Sequence, residues 1–165
     1  MLKTKSPRIE TLADTKLVGK KMVMSFSNNT TKELWQSFIP QKTKIQNAIG
    51  NELYSVEVYP SQNFLKEFDP ANSFEKWAAV RVSNFDFVPE GLEPLVIPKG
   101  LYAVFVYQGK ASQAASAYQY IFNTWLPNSG YTLDNRPHFA LMGEKYKNES
   151  TDSEEELWIP ISRVY

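Results

Sequence analysis

Along residues 154–161 the chain reads Glu-Glu-Glu-Leu-Trp-Ile-Pro-Ile, and from Glu156 onward its character alternates at every position. Alternation of period two predicts a strand, with Leu157, Ile159 and Ile161 on one face and Glu156 and Trp158 on the other. The aliphatic face reads as core, and the other face sets one carboxylate beside one large ring. Runs rich in β-branched and aromatic residues predict further strands at 16–26, 53–59, 74–83, 101–108 and 138–143, a short one at 95–97, and the last at 156–162. Two stretches change period. Asn29 or Thr30 caps the first predicted helix, which carries Leu34, Trp35 and Phe38 at helical spacing and is interrupted by Pro40. The second runs over 112–125 with Ala114, Tyr118, Ile121, Phe122 and Trp125 on one stripe, and Pro127 ends it. Both stripes read as core-facing, and Tyr118 packs with its hydroxyl seeking a partner.

In order, these elements spell strand, helix, strand, strand, and then the same four again. Tyr54-Ser55-Val56-Glu57 lines up with Pro137-His138-Phe139-Ala140, and Trp77-Ala78-Ala79-Val80 lines up with Trp158-Ile159-Pro160-Ile161. The repeat predicts one domain over 1–165, built of modules at about 8–84 and 95–165 and related by a pseudo-twofold axis. The junction of two such modules is a favoured place for a pocket. Residues 84–99 read as an ordered crossover, and the polar stretch 147–153 as an exposed loop.

Composition narrows the function classes. The 165 residues hold no Cys and one His, His138, so thiolate and imidazole-rich metal sites are excluded, and no metal or cofactor is expected. Lysines and arginines number 18 against 18 acidic residues, which gives no basic excess for direct DNA binding. The lysines at 16, 20, 21, 42 and 44 read as solvated. The start lacks the apolar run of a signal peptide, and no stretch is long and apolar enough for a membrane span, so a cytoplasmic protein is expected. Aromatic residues are the outlier, with 4 Trp, 9 Tyr and 10 Phe. Such wealth beside few catalytic residue types favours a stacking pocket.

Several segments together resemble one family. They are Pro7-Arg8-Ile9-Glu10, Pro89-Glu90-Gly91-Leu92, Ile97-Pro98-Lys99-Gly100-Leu101-Tyr102-Ala103-Val104-Phe105, Trp125-Leu126-Pro127-Asn128-Ser129-Gly130-Tyr131, Arg136-Pro137-His138-Phe139 and Glu156-Leu157-Trp158-Ile159-Pro160-Ile161. In order and spacing they resemble the GyrI-like small-molecule-binding domain, also called the AraC-type effector-binding domain. The resemblance implies an α+β fold of duplicated βαββ modules, an antiparallel sheet with helices on one side, and a ligand groove between the halves. It also implies a stand-alone member, since the chain leaves no room for a DNA-binding domain.

Carried over by position, the acid and aromatic of the last-strand motif fall on Glu156 and Trp158, with Tyr59, Trp77 and Tyr118 as further pocket aromatics. Many members carry a buried Glu after the motif Phe, where this chain has Ala140. Glu57, opposite Ala140 in the repeat alignment, is the replacement carboxylate expected from the other half. Three functions follow from the resemblance: binding of a hydrophobic or cationic small molecule, hydrolysis of cyclopropane-bearing electrophiles with Glu156 as general base, and interaction with a protein partner such as gyrase.

Overall fold

The computed structural model describes residues 1–164. The first half contains β1 (Arg8–Leu12), β2 (Thr15–Met24), α1 (Thr31–Phe38), β3 (Leu53–Val58) and β4 (Phe74–Arg81). The second half contains β5 (Glu93–Ile97), β6 (Gly100–Gln108), α2 (Ala115–Tyr120), β7 (Tyr131–Leu133), β8 (His138–Met142) and β9 (Glu154–Arg163). The fold is α+β, with one nine-stranded sheet in the order β1-β6-β9-β8-β3-β4-β2-β5 and β7 added to β9. Every pairing is antiparallel.

The duplication is visible in the register. Across the centre, Val56 pairs with Phe139, Ser55 with Ala140, and Glu57 with His138. Trp77 lies beside Val56, and Trp158 lies beside Phe139. A pseudo-twofold axis therefore passes through the Val56 and Phe139 pair, relating Trp77 to Trp158 and Glu57 to Ala140, as the repeat alignment expects.

The outermost strands depart from a simple side-by-side arrangement of repeats. β1 precedes β2 in sequence but pairs with β6, while β5 precedes β6 but pairs with β2. Only two residues separate β1 from β2, and two separate β5 from β6. Three Cα steps span at most about 11 Å, so strands far apart in the sheet order must meet at one end. The sheet consequently curls, and the two connections are tied where the Lys99 backbone N–H donates to Asp14 Oδ1 at 2.7 Å.

Curling gives each face its own core. One face carries both helices. There Val18, Ala78 and Val80 meet Leu34 and Phe38 of α1, and Phe105, Leu157 and Ile159 meet Ala117 and Ile121 of the second helical segment. The concave face encloses Leu17, Val56, Trp77, Tyr102, Phe139 and Trp158 without a helix to cover it. Burial on both sides explains why β4 and β9 are buried along most of their length.

Both helices differ from their sequence expectation at the ends. Pro40 does not interrupt the first rod. It enters the opening turn of a 3-10 continuation, Ile39–Lys44, where its missing N–H leaves nothing unsatisfied. The Asn29 side chain accepts the Thr31 N–H at 3.0 Å, whereas Thr30 makes no capping bond. The second rod changes pitch along its length, from 3-10 at Ala111–Gln113 to α at Ala115–Tyr120, π at Ile121–Trp125 and 3-10 at Leu126–Asn128. None of the described helices is long and apolar enough to cross a membrane.

Candidate functional site

At the pseudo-twofold axis, on the helix-bearing face, Lys76, Glu57, His138 and Ile159 form one row across four adjacent strands. Strand parity directs these side chains toward the helices. A cavity opens over the row, of about 20 Å³, lined by Glu57, Tyr59, Tyr118, Phe122, His138, Phe139, Trp158 and Ile159. That volume holds one water-sized group. The rings around it are in mutual contact. Tyr59 meets His138 edge-on at 4.9 Å between centroids, Phe122 lies 6.1 Å from His138, and Tyr118 stacks on Phe122 at 6.3 Å.

The polar groups of this wall are mostly committed. Lys76 Nζ donates to Glu57 Oε1 at 2.8 Å, and both side chains are largely buried. His138 is buried, and desolvation, reinforced by Arg136, lowers its imidazole to about 3, so it is neutral at ordinary pH. Burial raises the Tyr59 and Tyr118 phenols, with Glu57 acting on both in the same direction. Glu155 lies further along β9 on this same face and within electrostatic reach of Lys76, Glu57 and Tyr118. Desolvation drives its carboxyl up to about 7, opposed by Lys76 and assisted by Glu57.

The structure divides the residues expected from sequence between two faces. Glu57, Tyr59, Tyr118 and Ala140 share the helix-bearing face. The side chains of Glu156, Trp158 and Trp77 are directed to the other. Glu156 Oε2 accepts from Arg8 Nη2 at 2.8 Å, and its Oε1 accepts from Trp158 Nε1 at 3.1 Å. The Trp158 ring stacks on Phe139 at 5.1 Å, with the Arg8 guanidinium 5.8 Å from its centroid. Trp77 repeats the arrangement through the pseudo-twofold. Its Nε1 donates to Glu75 Oε1 at 3.2 Å, and Lys21 Nζ lies 5.8 Å from its ring. Glu156 is thus a tethered rim carboxylate of the concave face, one residue out of parity with the row under the helices.

Lys76, Phe122, His138 and Glu155 were not among the expected site residues. Phe122 was legible, since it shares the helix stripe with Tyr118. Lys76 and His138 were legible from the strand register through Glu57. Glu155 precedes the alternating run that begins at Glu156, so the pattern leaves it outside the strand, which in fact starts at Glu154.

A curled antiparallel sheet of two βαββ repeats, with a ring-lined cleft at its dyad beneath the helices, defines an effector-binding domain. Residues 8–161 match the integron-associated effector binding protein family, Cass2, and the chain belongs to that family, within the GyrI-like group. The transcriptional regulator BrlR of Pseudomonas aeruginosa is 27% identical over 146 residues, covering 88% of this chain and 51% of that protein. A DNA gyrase inhibitor of Erwinia billingiae is 30% identical over 101 residues, covering 58% of this chain and 63% of that protein. The chain thus spans about half and somewhat under two thirds of these relatives. Among solved structures, SAV2435 bound to tetraphenylphosphonium superposes with a TM-score of 0.69 at 16% identity, covering 94% of this chain and 93% of that one. An integron cassette protein from the mobile metagenome of Vibrio cholerae gives 0.66 at 14% identity, covering 95% and 96%. At these identities the likeness is one of fold.

Proposed function

We propose that the protein binds an amphipathic aromatic small molecule in the helix-side cleft at the pseudo-twofold axis. The observation that carries this reading is the convergence of Tyr59, Tyr118 and Phe122 on a cavity whose floor holds the Glu57 and Lys76 pair and a neutral His138. Aromatic walls give a planar ligand stacking area, while a few fixed polar groups orient it. The cavity holds only a water-sized group, so a drug-sized ligand requires the stacked Tyr118 and Phe122 rings to turn aside. Family membership and the tetraphenylphosphonium complex of a structural neighbour support the same reading.

Titration calorimetry with acridine tests it. Tyr118→Ala and Tyr59→Ala are expected to weaken binding at least tenfold, whereas Glu156→Gln, on the opposite face, leaves affinity within about twofold. Equal losses in all three variants, or binding that survives the two ring deletions, would overturn this site.

A hydrolytic reading rests on position: Glu155 lies beside the cavity on the helix-bearing face, within electrostatic reach of Lys76 and Glu57, with its carboxyl raised to about 7, a value suited to a general base. It moves the base from Glu156 to Glu155. Turnover of a cyclopropane-bearing electrophile that Glu155→Gln abolishes and Glu156→Gln preserves would establish it, and turnover retained in Glu155→Gln would remove it.

A further inference from the structure

The pseudo-twofold axis relates Glu57, which lines the cavity, to Ala140, which packs in the core beside it and does not. Ala140 brings no charge. Glu57 brings one, but the Lys76 ammonium is seated on it at 2.8 Å, with side-chain exposures of only 10% and 17%. The cavity lining therefore contains no carboxylate free to meet a cation. The other lining residues are Tyr59, Tyr118, Phe122, Phe139, Trp158, Ile159 and His138, none of them acidic. Glu155 stands outside the lining, and at a carboxyl value of about 7 it is about half protonated at neutral pH. The charged and titratable groups that act on it are Lys76 on β4 and Glu57 on β3. It acts in turn on Tyr118 of α2, Tyr107 of β6 and Tyr146 of the β8–β9 connection.

From this geometry we infer that Lys76 determines the charge class of the ligand: as a built-in counter-ion to Glu57 it tunes the cleft to neutral planar aromatic molecules and against permanent organic cations. A cation entering the cleft must either displace a buried ammonium from its partner or lie beside it. Both are costly where water cannot screen the charges. A neutral ring system stacks on Tyr59, Tyr118 and Phe122 and leaves the pair intact. This inference rests on the cleft being the ligand site, and it goes beyond that reading by naming what the site selects.

The test uses two probes of nearly equal shape at pH 8, neutral acridine and the permanent cation 10-methylacridinium. Wild type is expected to bind acridine at least tenfold more tightly. Lys76→Met uncovers Glu57, so the ratio of 10-methylacridinium affinity to acridine affinity is expected to rise at least tenfold. Since Lys76→Met strands a buried carboxylate and can compromise folding, Glu57→Gln provides an independent arm. It leaves the ammonium without its partner and is expected to shift the ratio of the two affinities at least threefold further toward acridine. Wild type that binds the cation as tightly as acridine, or Lys76 and Glu57 variants that leave the ratio of the two affinities unchanged, would overturn the charge-selecting role while preserving the cleft as a binding site. Failure of both probes to bind wild type would overturn the role and the cleft together.

Discussion

Single residues in this protein carry opposite responses to pH. The His138 imidazole is held at about 3, far below its value in an unfolded chain, so the unfolded state takes up the proton first. Its contribution to stability is complete above about pH 6.5 and is lost progressively as pH falls toward 3. The Glu155 carboxyl is displaced the other way, from 4.5 to about 7. The folded state therefore holds that proton longer, and the associated stability is present below about pH 4.5 and lost as pH rises through 7. Denaturant unfolding across pH is expected to show both limbs. Glu155→Gln should remove the alkaline loss and raise stability at pH 8 by roughly 1–2 kcal/mol, discounted for partial exposure. His138→Phe should remove the acid limb if the larger ring is accommodated. Glu156→Gln, whose partner Arg8 is well exposed, should cost about 1 kcal/mol or less.

At the scale of elements, β9 shows how one strand serves two interiors. Leu157, Ile159 and Ile161 pack under the second helical segment, while Trp158 fills the concave face beside Tyr102 and Phe139. Trp158→Ala is therefore expected to cost roughly 3–5 kcal/mol in chemical denaturation. On β2, a Cβ at Gly19 would sit 2.1 Å from the Ala78 carbonyl oxygen and 2.6 Å from Ala79 Cα. Backbone on both sides cannot give way, so Gly19→Ala is expected to lower stability by about 3 kcal/mol or more, measured by thermal unfolding. The strands and both helical stripes were legible because period two and period 3.6 survive in the sequence. The short β1 and β7 were not, since they lie at edges or branches where pairing, not side-chain pattern, makes the strand. Alternation tells which residues share a face, but a strand buried on both faces gives no sign of which face opens to a ligand.

At the scale of the whole molecule, the exchange of β1 and β5 between repeats makes each half complete only in the other's presence. The repeat order was legible, but which edge each leading strand joins was not, because two-residue connections permit either neighbour until the sheet curls. Removing residues 1–13 would strip the outer partner from β6, whose neighbours on that side include Arg8, the ion-pair partner of Glu156. An exposed, largely apolar edge of this kind pairs with other chains. Size-exclusion chromatography of the truncated protein is expected to show dimers or larger species where the full chain elutes as a smaller one. A truncated protein that elutes unchanged and unfolds at the same denaturant concentration would show that β1 is dispensable.

The crossed edges also impose an order on synthesis. β1 leaves the ribosome early, yet the strand it must pair with belongs to the second repeat and is made much later. Through that interval the nascent first half carries an unpaired leading strand and a β2 edge still waiting for β5. Closure of the sheet is thus a late, long-range event, of the kind that slows folding and leaves strand edges open to other chains. The same crossing that fuses two ancestral repeats into one cooperative body makes the newborn chain most vulnerable before its second half exists.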